Sequence, residues 1–207
     1  MPKKPTQTFG HLAFSKDGKV TPHFVRLSDE KAVQEREAME RFVETFNRSF
    51  PERQFMKLRQ LPENDHDFVL DAAGAETYVE LTELVDRTFT FPMSPTEYDA
   101  GRWTHAVLKV SGEIPWRVDT DRRDQALTEA IASKAARYTI MRNYPLWLVV
   151  FATFHYETEY ITGGQLMVSE GLARARRHVA GQTLKVFDEV WFTDLELRPI
   201  KVWPHDA

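Results

Sequence analysis

The stretch DHDFVLDAAGAETYVELTEL, residues 65–84, reads as two apolar strands joined by a tight turn. The residues alternate with the period of a strand, and Ala73-Gly74 interrupts the pattern where a hairpin would reverse. In the second strand, Tyr78, Glu80, Thr82 and Leu84 share one face, and Thr77, Val79, Leu81 and Glu83 share the other. Both faces carry apolar residues, so the strand is expected to be covered on both sides and Glu80 to be removed from bulk water. A two-residue turn at Ala73-Gly74, or a four-residue loop over 72–75, sets Asp71 opposite Glu76 and Asp67 opposite Glu80. Directly opposed residues point the same way, with Cβ atoms ~4.5–5.5 Å apart. A three-residue loop with a bulge would instead shift the pairing by one. In the first register two carboxylates converge with no basic partner in either strand, which destabilises a sheet unless a cation sits between them. A divalent ion with oxygen ligands is the natural candidate, because Mg²⁺ is commonly held by one or two carboxylates plus water and phosphate oxygens. The competing reading is an exposed edge hairpin with solvated acids.

A second element points at the same place. DRRDQALTEAIASKAARYTIMRN, 121–143, has the periodicity of a helix, and Leu127, Ile131, Lys134, Tyr138 and Met141 fall on one face. That face is the apolar one, and Lys134 interrupts it. A lysine there either snorkels to water or reaches a buried anion. The unpaired acids of the sheet favour the second.

The flanking segments supply the rest of an α/β domain. Residues 1–28 contain a hairpin, with HLAF and VTPHFV on either side of SKDGK and Asp17-Gly18 as its turn. Ser28 reads as an N-cap, and the helix after it runs to Phe50 with Ala32, Met39, Phe42, Val43, Phe46 and Phe50 as its apolar stripe. FMKLRQL (55–61) is a strand, 86–120 an irregular insertion with one strand at 102–110, and LWLVVFATF (146–154) a buried strand. Beyond it, 165–179 reads as a helix, and 187–194 and 195–203 as strands. The order permits a small central sheet in an αβββαβ core flanked by helices, as a single domain over 1–207, with its core at 29–153 and a helix and strands over 154–207.

Composition excludes several classes. The chain has 207 residues and a net charge of −4, which gives no support to a generally basic nucleic-acid surface. The longest apolar run, PLWLVVFATF (145–154), is about half of the ~18 residues a membrane span needs, so no membrane is expected. The first residues, MPKKPTQTFG, carry two lysines without an apolar segment behind them and do not read as a signal peptide. Cysteine is absent, which removes disulfides and thiolate metal sites and fits a cytoplasmic location. The seven histidines show no zinc-ligand spacing. ITGGQ (161–165) places glycines before the expected helix as an anion nest, yet lacks the Lys and Ser/Thr of a P-loop. Arg174, Arg176, Arg177 and His178 form a basic turn; Arg174 and Arg177 are candidates for nucleic-acid phosphate contact, against a plain solvated face. Arg102, Trp103 and Trp116 in the insertion are candidates for stacking on bases, against core packing.

The order helix–strand–strand–strand–helix–strand, with HDF opening the second strand and VELT in the third, resembles the PD-(D/E)xK nuclease-like superfamily over residues 29–153. The resemblance implies a restriction-endonuclease-like fold and Mg²⁺- or Mn²⁺-dependent hydrolysis of nucleic-acid phosphodiesters. It makes Asp67, Glu80 and Lys134 the catalytic set and Asp67, Glu80 and Leu81 the metal ligands. Thr82 stands where the motif has its lysine, and His66 where it has its proline. Some members move that lysine to the following helix, and KAARY (134–138) is similar to their Q-x-x-x-Y motif, with Lys134 at the Gln position and Tyr138 at its end. Glu40 is the acid expected from the first helix, and many endonucleases of this type work as homodimers. Without the motif lysine, the alternative is a catalytically inactive relative that binds nucleic acid or a protein partner. A plain structural α/β domain is the third reading.

Overall fold

A computed structural model describes residues 8–14, 20–26, 30–62, 65–84, 120–138, 142–152, 158–162, 165–182, 186–195 and 197–204. In chain order its elements are β1 (Thr8–Phe14), β2 (Val20–Arg26), α1 (Lys31–Ser49), a 3-10 turn (Pro51–Arg53), β3 (Lys57–Gln60), β4 (Phe68–Ala72) and β5 (Ala75–Leu84). There follow α2 (Thr120–Ala135), β6 (Leu146–Ala152), β7 (Glu159–Thr162), β8 (Gln165–Val168), α3 (Glu170–Gly181), β9 (Glu189–Thr193) and β10 (Ile200–Trp203). The class is mixed α/β. Six strands form one sheet in the order β10-β9-β6-β5-β4-β3, while β1–β2 and β7–β8 are separate hairpins.

The opening stretch forms the hairpin β4–β5 in the first of the two registers. Phe68 pairs with Val79, Asp71 with Glu76, and Ala72 with Ala75. The two turn residues take positive φ, 55° at Ala73 and 90° at Gly74. Positive φ at both central positions matches the right-handed twist of the strands, and glycine reaches it without strain. Asp71 adds to the turn by accepting from the Gly74 backbone N–H at 3.0 Å. β3 extends the antiparallel run on the β4 side. On the other side β6 runs parallel to β5, and β9 parallel to β6. Parallel neighbours need long crossovers, and α2 and α3 supply them.

All seven residues of β6 are buried, as expected of a parallel strand covered on both faces. One face carries α1: Phe42 and Phe46 pack with Phe68, Val79, Trp147 and Trp191. The Phe46 ring lies 5.1 Å from Trp191 and 5.9 Å from Trp147, and such pairs add ~0.5–1.5 kcal/mol beyond area burial. The other face carries α2 and α3: Leu127, Ile131, Leu172 and Val179 pack with Leu84, Leu148 and Val150. The alternation of β5 thus divides its side chains between two cores. Val79 and Leu81 face α1, while Tyr78 and Leu84 face α2.

Several boundaries differ from expectation. α1 starts after Glu30, which makes no side-chain cap, and Ser28 lies outside the described residues. Its buried stripe is Ala38, Met39, Phe42, Thr45 and Phe46, whereas Ala32 is exposed in the first turn, ahead of that stripe. α2 ends at Ala135 rather than near 143. Its last bonds, Arg137 N–H to Lys134 and Tyr138 N–H to Ala135, are i to i+3, so the helix tightens and stops. Met141 lies outside the described residues. Residues 165–168 form β8 instead of a helical turn, because Ser169 caps α3 by accepting from the Leu172 N–H at 3.2 Å. ITGGQ accordingly joins two paired strands, β7 and β8, and does not open a helix. The N-terminal hairpin is present, with its expected Asp17-Gly18 turn outside the described residues. Of the insertion expected over 86–120, Thr120 begins α2, and 86–119, with Arg102, Trp103, Trp116 and the strand expected at 102–110, lie outside the described residues. Among the described residues no helix is long and apolar enough to cross a membrane.

Candidate functional site

The hairpin register decides where the acids go. Phe68 and Val79 are the last paired residues before the open end of β4. The next position outward brings Asp67 to the side of Glu80. Asp67 leaves the ladder there and substitutes its side chain: Oδ2 accepts the Leu81 backbone N–H at 2.7 Å. Its own carbonyl accepts from the Leu61 N–H at 3.0 Å, so the residue is pinned from both sides. Glu80, one residue earlier on β5, is 1% exposed, so it must have partners for its charge.

Those partners come from three directions. The Lys134 ammonium, near the end of α2, donates to Glu80 Oε2 at 2.7 Å and to Asp67 Oδ2 at 3.1 Å. The lysine that interrupts the apolar stripe of α2 therefore turns inward. His66 Nδ1 lies 2.7 Å from Glu80 Oε1, and His66 Nε2 lies 2.8 Å from the Tyr144 hydroxyl. Tyr138, just past α2, lies beside Glu80. Its phenol is held well above the ordinary tyrosine range, first by burial, then by its interaction with the Glu80 carboxylate and by the charge of Asp67. The His66 ring stacks on Tyr138 at 6.0 Å and meets Tyr144 edge-on at 5.3 Å. The result is a continuous hydrogen-bonded chain from the exposed Tyr144 through His66, Glu80 and Lys134 to Asp67.

Among the described residues, two formal negative charges meet the Lys134 ammonium, and His66 is a further partner of Glu80. All the acid donors are oxygens. Among the described residues no third His, Cys, Asp or Glu joins them to make a three-ligand metal group. Such a pair suits a hard ion that completes its shell with water and substrate oxygens, as Mg²⁺ does, and does not suit zinc. Leu81 has only its backbone carbonyl to offer such an ion.

The other residues singled out from sequence are distributed unevenly. Thr82 is half-buried on the Glu80 face of β5, and Val150 is its neighbour on β6. Glu40 is not brought to the acids. It is exposed, pairs with Arg36 at 2.9 Å, and sits on the helix that covers the opposite face of the sheet. Arg177 pairs with Glu170 at 2.6 Å on the surface of α3, and Arg174 is half-buried one turn away. Neither touches the acid pair. His66 and Tyr144 were not anticipated as partners of Glu80. His66 precedes β4, so strand alternation says nothing about its direction, and Tyr144 lies 78 residues further along the chain. Comparison of the chain with protein-family models, curated proteins and solved structures finds no match to any of them.

Proposed function

We propose that this chain hydrolyses nucleic-acid phosphodiesters with the help of a divalent ion, Mg²⁺ or Mn²⁺. The observation that carries the reading is the Lys134 ammonium, within hydrogen-bond distance of both Asp67 and Glu80, so that one cation and two acids from three segments of the chain meet. The element order supports it: α1, the antiparallel run β3–β4–β5, then α2 and the parallel β6 follow the order of the PD-(D/E)xK resemblance, with the acids on its central hairpin. Asp67, Glu80 and the Leu81 carbonyl would hold the ion. When bound, such an ion supplies Lewis acidity at a phosphoryl oxygen and a more acidic water. Lys134 brings positive charge to the place where oxygen charge develops in the transition state. Thr82 has a hydroxyl and no charge, so it leaves that role to Lys134. His66 keeps the Glu80 carboxylate in place by donating to it.

A second reading, a relative that binds nucleic acid or a protein partner without cutting, is favoured by one observation. Both oxygens of Glu80 already have donors, Oε1 from His66 and Oε2 from Lys134. Nicking of supercoiled plasmid in Mg²⁺ or Mn²⁺ separates the two. The wild type is expected to cut, Asp67→Ala and Glu80→Ala each to abolish cutting, and Thr82→Ala to cost little. Equal cleavage by the Asp67→Ala protein refutes the catalytic reading, and retention of DNA in a gel without cleavage supports the second.

A further inference from the structure

His66 is the group at this centre that neither strand alternation nor the nuclease-like motif accounts for. Its side chain is 11% exposed, and both ring nitrogens are in use. A carboxylate oxygen only accepts, so the proton in the contact with Glu80 Oε1 belongs to Nδ1. In the neutral ring Nε2 is then an acceptor, and the Tyr144 hydroxyl donates to it. The ring plane is held as well, by Tyr138 stacked on it and by Tyr78 edge-on at 5.3 Å. The segment before β4 thus delivers a donor to one buried carboxylate, and the segment before β6 orients it.

We infer that His66 is a positioning residue for Glu80: Nδ1–H holds Oε1 so that Oε2 faces Lys134 and Asp67, and Tyr144 fixes the tautomer that makes this hold. The inference deepens the proposed function, on which it rests only for what Glu80 goes on to bind. Partners that orient ligating carboxylates and histidines act through geometry and affinity without touching the ligand themselves.

The test has two arms on the full chain. In the first, nitrogen NMR of the histidine rings reads the tautomer of neutral His66. The proton is expected on Nδ1 in the wild type, and Tyr144→Phe is expected to weaken that preference. A proton on Nε2 in the wild type overturns the inference, whether or not any variant folds. In the second, Mn²⁺ is titrated by calorimetry into the wild type, His66→Asn, His66→Gln and His66→Leu, each checked by its thermal melt. The Asn amide nitrogen stands close to the place of Nδ1 and is expected to keep affinity within a few-fold. Gln and Leu are expected to lose ~10–100-fold. Unchanged Mn²⁺ affinity in folded His66→Leu overturns the positioning role. If the wild type takes up no Mn²⁺, the ion-dependent reading of the site fails, and the tautomer alone decides this one.

Discussion

Replacing Lys134 by methionine removes the ammonium that faces both acids while keeping most of the side-chain volume. Glu80 is left at 2% side-chain exposure with the His66 bond remaining to it, and Asp67, at 29%, keeps the Leu81 N–H and access to water. The penalty therefore falls on Glu80. Breaking a buried ion pair by removing one partner costs ~3–5 kcal/mol. The His66 donor remains on Glu80 and Asp67 is partly solvated, so the lower end applies, about 3 kcal/mol. For a chain of this size each kcal/mol moves the melting temperature by about 2–4 °C, giving a drop of roughly 6–12 °C at neutral pH. Differential scanning calorimetry reads it. The double variant Lys134→Met/Glu80→Gln removes the orphaned charge together with its partner, and is expected to recover more than half of the loss. That coupling is the diagnostic, because residues in contact depart from additivity by ~0.5–3 kcal/mol. A melt of Lys134→Met within a degree of the wild type, or losses that simply add in the double variant, would refute the account of Lys134 as the counter-ion of Glu80.

Other expectations follow from the same geometry. Tyr138→Phe removes a phenol that interacts with the Glu80 carboxylate and is expected to destabilise by ~1 kcal/mol. The Tyr138 phenol is raised in the folded state, so its contribution is complete below the unfolded tyrosine pKa of ~10 and is lost as pH rises above it. The wild type should therefore lose stability more steeply than Tyr138→Phe in alkaline melts. Gly74→Ala meets no atom within 4 Å but sits at φ 90°, so backbone strain alone should cost ~1 kcal/mol, read by denaturant titration. Arg177→Ala removes a pair whose side chains are 65% and 56% exposed and should change stability by no more than ~1 kcal/mol. If Arg177 contacts a phosphate, the same variant lowers the salt dependence of nucleic-acid binding by about one unit of slope.

The placement of the two acids was legible in residues 65–84. Strand alternation and a two-residue turn are local rules, and together they put Asp67 and Glu80 on one side of the sheet before any distant contact is known. Lys134 was legible in part: its place in a helical apolar stripe left snorkelling to water open, and the unpaired acids of the sheet favoured the inward direction. The aromatic stripe of α1 was legible because burial on one face shows as period, and β6 because a strand covered on both faces shows as an unbroken apolar run.

What the fold decided lies in contacts between segments far apart in the chain. The closing of α2 at Ala135, which leaves Tyr138 just past its end beside Glu80, depends on how that helix seats on β5 and β6. The chain from Tyr144 through His66 to Glu80 joins residues 78 and 14 positions apart, and none of them shares a period with the others. The exclusion of Glu40 follows from α1 packing on the opposite face, a choice that its own amphipathic pattern leaves open. Periodicity tells a side chain whether it faces a core. Which donor meets a buried carboxylate is set by the packing of helix on sheet, and that is a property of the assembled chain.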